Sequence, residues 1–314
     1  MMNQEALLSW YRRVQRPLTW RLNPSPWSIL LSEILLQQTQ MERGILYHQK
    51  LLNRFPTIQS MAESSVDEVL LLWQGAGYYS RARRLHALSL EVMEHYGGTL
   101  PDTYDELLKL PGVGPYTAAA VSSIAFSQPV ACVDGNIRRV MARQTNQENP
   151  SVKEVQTFAD EQLAVEFSGD WNQAMMELGA LVCRPKKPNC VECPIQESCL
   201  GIDRAHELPL PRKLVKKEVS MDCVVRLDPQ GWPELIQRPD SGLFAGLWGP
   251  NYDTTLDTDG LDFLGTIQHQ LSHRRLIVKV WKGSSTKGTN PNDVALSTLD
   301  RRVLDLAGVL LDIP

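Results

Sequence analysis

Apolar residues recur at helical spacing through the first two-thirds of the chain. SILLSEILLQQT, VDEVLLLWQG, RARRLHALSLEVMEHY, TYDELLKL, TAAAVSSIAF, NIRRVMAR, VQTFADEQLAVEF and WNQAMMELGALV all place them every three to four positions, the period that gathers side chains on one helix face. The breaks carry Gly97-Gly98, Pro101, Pro111-Gly112 and Gly135, residues that end or interrupt helices. No strands alternate with these helices, which excludes a Rossmann or barrel plan. Residues 1–200 are therefore predicted to be all-α. From about residue 201 the pattern changes. GIDRAHELPLPRKLVKK, with Pro209, Pro211 and a run of basic residues, reads as a linker over 201–217. Beyond it VSMDCVVRL, PELIQRP, DFLGTIQHQ and RRLIVKVW are β-rich or alternating, and LSTLDRRVLDLAG reads as one helix. A smaller α/β domain is expected over 218–314.

Composition changes this picture little. With 314 residues, 43% apolar and 22% charged, the chain is long enough for two cores and too apolar to be mainly disordered. No run of eighteen apolar residues exists, so no membrane partner is expected. The start, MMNQEALLSWYRRVQRP, has no apolar block behind a basic tip, and a cytoplasmic location is expected. Over residues 1–217 there are 23 Lys and Arg against 23 Asp and Glu, and 9 against 13 thereafter. That balance argues against wholesale coating of nucleic acid. Two basic clusters remain, Arg81, Arg83 and Arg84, and Arg138, Arg139 and Arg143; they could grip phosphates or simply form solvated helix faces.

Four of the six cysteines fall within seventeen positions, Cys183, Cys190, Cys193 and Cys199, spaced C-x6-C-x2-C-x5-C. In a reducing compartment such a cluster points to a metal site, because converging thiolates repel without a cation. Tetrahedral zinc and a cubane iron–sulfur cluster are the chemical choices. Zinc sites of this kind usually pair two C-x2-C knuckles, and only one is present, which favours iron–sulfur. Cys132 and Cys223 lie in apolar strings and read as core.

Three further features carry possible chemistry. LPGVGPYTAAA puts Gly112 and Gly114 between helices, with Pro115 suited to a first helical turn. Such a turn offers amides and a helix N-terminus to an anion such as a DNA phosphate, and equally serves as a plain helix–helix turn. Glu33 has Ile29, Leu30, Leu36 and Gln37 as helical neighbours. Among aliphatic groups a carboxyl is costly to ionise and could donate a proton near neutral pH, unless its head reaches water. Asp134 precedes NIRRVMAR and reads as an N-cap, a role compatible with holding a fixed anion beside a developing sugar cation.

Together these strings resemble the helix-hairpin-helix DNA glycosylases with an iron–sulfur cluster, and within them the adenine DNA glycosylases (the MutY family). TWR, SEILLQQTQ, FPT, WQGAGYYSRAR, LPGVGPYTA, VDGNIRRV and MELGALVC occur in the family's order over nearly all of residues 16–199. The resemblance implies a mainly α helix-hairpin-helix glycosylase domain carrying a cluster segment at 183–199, and a smaller Nudix-like α/β domain. It implies a 4Fe-4S cofactor on Cys183, Cys190, Cys193 and Cys199, holding the Arg184, Lys186 and Lys187 loop against DNA. Glu33 resembles the acid that protonates a flipped adenine at N7. Asp134 resembles the carboxylate that stabilises or transiently bonds the sugar cation at C1′, and Asn136 the residue supporting that aspartate and the attacking water. Tyr116 stands where the endonuclease III branch has a lysine that forms a Schiff base. A phenol cannot form that imine, so base removal without lyase chemistry is implied. Glu177 resembles a contact to the adenine edge, and Arg16, Trp20 and Arg21 the pocket wall. Leu36 falls among the DNA-binding positions, and Gly112 and Gly114 fall on the phosphate-binding hairpin. Gln38 and Tyr78 resemble residues that wedge into the duplex opposite the extruded base.

RPDSGLFAGLWG and QHQLSHRR resemble the family's C-terminal domain, which recognises 8-oxoguanine, with Leu271, Ser272 and His273 on the reading loop. PNYDTTLDTDG lacks the glutamate-rich helix that a pyrophosphohydrolase needs. The chain departs from the family pattern at Thr19, at Leu30, where a tryptophan is usual, and at Leu271, where phenylalanine is more typical. The implied activity is that of a monofunctional adenine glycosylase, acting as a bacterial-type monomer on double-stranded DNA with adenine opposite 8-oxoguanine or guanine. An endonuclease III-type pyrimidine-lesion glycosylase and a non-catalytic mispair-binding protein are the competing readings. Tyr116 weighs against the first, and the Glu33–Asp134 pair against the second.

Overall fold

Helices fill the chain up to Leu181, as the three-to-four spacing requires, and the cysteine-bearing segment that follows to residue 200 is a loop with short 3-10 turns. The computed structural model describes residues 2–211 and 216–312; residues 212–215 of the expected linker lie outside them. In chain order the helices are α1 (Gln4–Val14), α2 (Thr19–Leu22), α3 (Pro26–Leu36), α4 (Met41–Arg54), α5 (Ile58–Ala62), α6 (Val66–Trp73), α7 (Ser80–Tyr96), α8 (Tyr104–Lys109), α9 (Pro115–Phe126), α10 (Gly135–Gln144), α11 (Val152–Gln162) and α12 (Ser168–Leu181). Their starts follow from local chemistry. The side chains of Asn3, Ser25, Ser65, Thr103, Asp134 and Ser151 each accept a backbone N–H of the first turn, satisfying donors that have no intrahelical partner.

Two helices end earlier than their apolar pattern suggests. The run SILLSEILLQQT stops being helical at Leu36, and Gln38 takes a φ of 60°, so Gln37 caps the helix instead of completing the face around Glu33. VQTFADEQLAVEF is interrupted where Leu163 turns to an extended ψ of 127° and Leu163 and Ala164 enter the core.

The chain divides into two compact units, Met1–Ala62 with Ala87–Arg212, and Glu63–His86 with Lys213–Pro314. The first is built around a core of Leu7, Ala119, Ala120, Ile137, Val140, Trp171, Ala174 and Leu178. Small residues let its helices approach closely: a Cβ on Gly169 would sit 2.7 Å from the Ser123 carbonyl oxygen. Asn172, on the same turn region of α12, donates to Ser123 Oγ and the Val130 carbonyl and accepts from Cys132 N–H. This fixes the segment that leads into Asp134. Residues 201–210, expected as linker, pack here too. Gly201 N–H donates to the Arg143 carbonyl and Leu210 N–H to that of Glu148, and Ala205 and Leu208 are buried.

The second unit holds a mixed four-stranded sheet in the order β4-β1-β6-β5, from β1 (Lys217–Leu227), β4 (Asn251–Asp253), β5 (Asp262–Gln270) and β6 (Arg274–Ser284). β1 and β6 are parallel, and the other pairs are antiparallel. The expected strand PELIQRP shrinks to β2 (Ile236–Gln237), paired with β3 (Trp248–Gly249). Alternation along β6 turns Leu276, Val278 and Val280 inward, where Leu299, Val303 and Leu304 of α13 (Thr298–Leu306) cover them. The α/β plan with one helix agrees with the expectation and is consistent with a Nudix-like domain. The sequence placed residues 63–86 in the all-α part. In the structure they are tied into this second unit: Tyr79 OH donates to the Leu296 carbonyl, Leu296 N–H donates to Gln74 Oε1, and Gln237 Nε2 donates to Asp67 Oδ1. Among the described residues no helix is long and apolar enough to cross a membrane.

Candidate active site

Glu33 lies on α3, a helix buried almost all round, and is 7% exposed. Its Oε2 accepts a 2.7 Å hydrogen bond from the Tyr116 hydroxyl at the start of α9. Burial raises its pKa from 4.5 to about 7, and the Asp134 charge adds to the rise, while the Tyr116 bond and Arg21 oppose it. The carboxyl therefore holds its proton into the neutral range, as its aliphatic neighbours suggested. The Tyr116 phenol is itself pushed well above its ordinary pKa, first by burial and then by Glu33, so it acts as a donor and not as an anion.

Asp134 caps α10. Its Oδ1 accepts from Ile137 N–H and its Oδ2 from Asn136 Nδ2, both at 2.7 Å. Burial still raises its pKa overall, against these bonds and the Arg139 charge. Capping alone does not set its ionisation, contrary to the simple N-cap reading. Asp134 has four groups favouring its anion (the Ile137 and Asn136 N–H groups, the Asn136 side chain and Arg139) and Glu33 two, Tyr116 and Arg21, and each carboxylate disfavours charge on the other. The first ionisation of the pair therefore resides mainly on Asp134.

Asn136 is held in turn. Its Oδ1 accepts from Arg139 Nη2 at 2.8 Å, and the same nitrogen donates to the Gly179 carbonyl at 2.7 Å, while Arg139 Nε donates to the Cys183 carbonyl. A Cβ on Gly179 would lie 2.5 Å from Asn136 Cβ, so α12 meets α10 at this point only through glycine. Arg139 and Arg143 turn inward; the phosphate-gripping option for that basic cluster does not describe them. Arg81 is buried as well, over the Trp73 and Tyr78 rings, and burial lowers its pKa to about 10.

Glu177 of α12 is fully buried. Arg16 pairs with it bidentately (2.7 and 2.8 Å), and Arg21 adds a 3.1 Å bond. Burial alone would raise its pKa, but the two arginines hold it down at about 2. Gln173, four residues earlier on the same face, accepts from Arg21 Nε. Sequence reasoning did not single out Gln173, nor Met176, whose sulfur lies 3.3 Å from the Tyr116 hydroxyl. The i−4 placement of Gln173 relative to Glu177 was the available signal, whereas Met176, adjacent in sequence and on another face of the helix, offered none. Trp20 is buried and packs edge-on against His48, centroids 4.9 Å apart. Leu36 is half-buried against Gly44 of α4, and Gln38 is exposed at its left-handed turn.

In the Pro111–Pro115 turn, Gly112 takes a φ of 80°, which favours glycine. Gly114 does not: it is the N-cap of α9 with φ −96° and nothing within 4 Å of an added Cβ, so its contribution is open space at a helix N-terminus. In the second unit the β5–β6 turn presents Leu271, Ser272 and His273. Leu271 packs on the core, His273 is exposed, and the Ser272 hydroxyl bonds the Tyr78 hydroxyl. Tyr78 is exposed at a φ of 49°.

Cys183, Cys190, Cys193 and Cys199 line one pocket with Val140, Arg143 and Leu178. Among the described residues no three of His, Cys, Asp or Glu converge as ligands of a single ion. As free thiols three of them resist ionisation: burial and then Cys183 raise Cys190, burial takes Cys193 up to about 11, and burial raises Cys199. The donor set thus suits a positive, soft metal group that takes four thiolates. Cys132 and Cys223 are buried core residues.

Residues 31–164 match the family described as HhH-GPD superfamily base excision DNA repair protein. The adenine DNA glycosylase of Rattus norvegicus is 34% identical, over 92% of this chain and 72% of its own length. Among solved structures, a thermostable thymine-DNA glycosylase superposes with a TM-score of 0.60 at 29% identity, over 64% of this chain and 95% of that one. An endonuclease III in a non-covalent DNA complex superposes with a TM-score of 0.57 at 25% identity, over 64% and 94%. With similarity that reaches across most of this chain and most of the rat protein, the chain belongs to the adenine DNA glycosylases, within the HhH-GPD superfamily of base excision DNA repair proteins.

Proposed function

We propose that this chain hydrolyses the N-glycosidic bond of adenine mispaired with 8-oxoguanine or guanine in double-stranded DNA, without lyase chemistry. The carrying observation is the pair of buried carboxyls with divergent environments: Glu33 keeps its proton to about pH 7, while Asp134 accepts two 2.7 Å bonds. Glu33 gives its proton to adenine N7. The C1′–N9 bond then breaks with its electron pair on a neutral purine, a far better leaving group. Asp134 stabilises the oxocarbenium ion, and water adds to C1′, releasing a proton. Asn136 and Arg139 hold Asp134 in place, so little reorganisation is needed when charge develops. Tyr116 orients Glu33 and offers no amine for an imine.

Cys183, Cys190, Cys193 and Cys199 would hold a 4Fe-4S cluster, which crosslinks the loop bearing the exposed Arg184, Lys186 and Lys187 for contact with the DNA backbone. Tyr78 and the Leu271–His273 turn would face the strand opposite adenine, where Ser272 supplies a hydroxyl for 8-oxoguanine. The test is adenine release from duplexes carrying adenine opposite 8-oxoguanine, guanine or cytosine, run beside duplexes with oxidised pyrimidines. Release from the first two, with no strand nick before alkali, is expected. Cleavage of only the oxidised-pyrimidine duplexes overturns the assignment, as does mispair binding without adenine release in both wild type and Glu33→Gln.

A further inference from the structure

Arg143 is 1% exposed, and no carboxylate among the described residues pairs with it. Its donors go instead to Leu208 O (2.9 Å), Cys183 O (3.1 Å), Cys183 Sγ (3.2 Å), Arg184 O (2.8 Å) and Pro185 O (2.9 Å). Its own carbonyl accepts from Gly201 N–H (2.8 Å) and from the Cys199 thiol (3.5 Å). One residue therefore touches the first and the last cysteine of the segment. Carbonyl dipoles solvate a guanidinium but do not neutralise it, and an unpaired buried cation costs several kcal/mol. Where its Nη1 meets the Cys183 sulfur at 3.2 Å, the side chain facing the guanidinium is a cysteine and not a carboxylate.

We infer that Arg143 is the counter-charge of the group held by Cys183, Cys190, Cys193 and Cys199: an anionic, four-thiolate cluster partly neutralised through the N–H···S contact at Cys183. This rests on the iron–sulfur reading given above. Arg139 does not duplicate the role, because its donors go to the Cys183 and Gly179 carbonyls and to Asn136, on the Asp134 side. A cation and a hydrogen bond at sulfur favour the more electron-rich state of a cluster, so Arg143 should raise its reduction potential as well as hold it in place.

The experiment compares holoprotein of wild type, Arg143→Gln and Arg143→Lys for iron content, cluster loss to a chelator, and the reduction potential of the bound cluster. Arg143→Gln is expected to lose its cluster about tenfold faster and to shift the potential negative. Arg143→Lys keeps the charge without the fork and should fall between them in potential. Should Arg143→Gln fail to fold, wild type carrying [15N]arginine gives the second readout: hyperfine coupling of an arginine nitrogen to the paramagnetic cluster, absent from Arg143→Lys. An unchanged potential in iron-loaded Arg143→Gln, or no nitrogen coupling in wild type, overturns the inference while leaving the cofactor intact. Protein that binds zinc or no metal overturns the cofactor assignment, and the role of Arg143 with it.

Discussion

Glu33→Gln should make the protein more stable while removing its proton donor. Glutamine fills the same space and still offers an oxygen to the Tyr116 hydroxyl, so the change isolates the cost of charge. The carboxyl titrates at about 7 in the folded chain against an ordinary 4.5. Between those values the folded state keeps a proton that the unfolded state has lost, so wild-type stability falls as pH rises through that window. Below 4.5 both states are protonated and the cost disappears; above about 7 it is constant, at about 3 kcal/mol. The stability gap between variant and wild type should therefore open from near zero at acidic pH to that value above neutrality. Parallel thermal unfolding of the two holoproteins from pH 4.5 to 8 reads it directly, and for a domain of this size a full gap corresponds to roughly 6 °C or more. A gap that stays flat or closes as pH rises would refute the argument that burial holds the proton on Glu33.

Single-turnover adenine release by wild type should fall as pH passes about 7, when Glu33 loses its proton; a rate constant through that range contradicts the donor role. Asn136→Ala removes a 2.7 Å bond to the Asp134 carboxylate, worth ~1.5–3 kcal/mol for a charged acceptor. Excision should drop roughly 10- to 100-fold with duplex affinity nearly unchanged, and Arg139→Gln, which acts through Asn136, should show a smaller drop of the same kind. Equal losses in affinity and rate would point to misfolding instead. Glu177→Gln leaves Arg16 and Arg21 facing a buried neutral amide and should destabilise the fold by about 3 kcal/mol, measured as a lowered urea midpoint; an unchanged midpoint refutes the ion-pair account.

Much of the site was legible because it is local. The aliphatic neighbours of Glu33 sit at helical spacing, Asp134 caps the helix that follows it, and the cysteines crowd one loop. What escaped depends on distant partners. Arg139 and Arg143 look like solvated basic residues until the Cys183 and Leu208 carbonyls come into reach. Residues 63–86 carry ordinary helical periodicity, and only bonds to Leu296 and Gln237, some two hundred positions away, draw them into the second unit. The turn at Gln38 was missed for a related reason: the apolar face of α3 ends before its helix-forming residues do.

The account stands on a carboxyl that remains protonated at neutral pH beside an aspartate that does not. Infrared difference spectroscopy of wild type against Glu33→Gln isolates the carbonyl stretch of that one carboxylic acid across a pH titration. The band should be present at pH 6 and vanish with a midpoint near 7. A midpoint near 4.5, the ordinary value for a solvated glutamate, would contradict it.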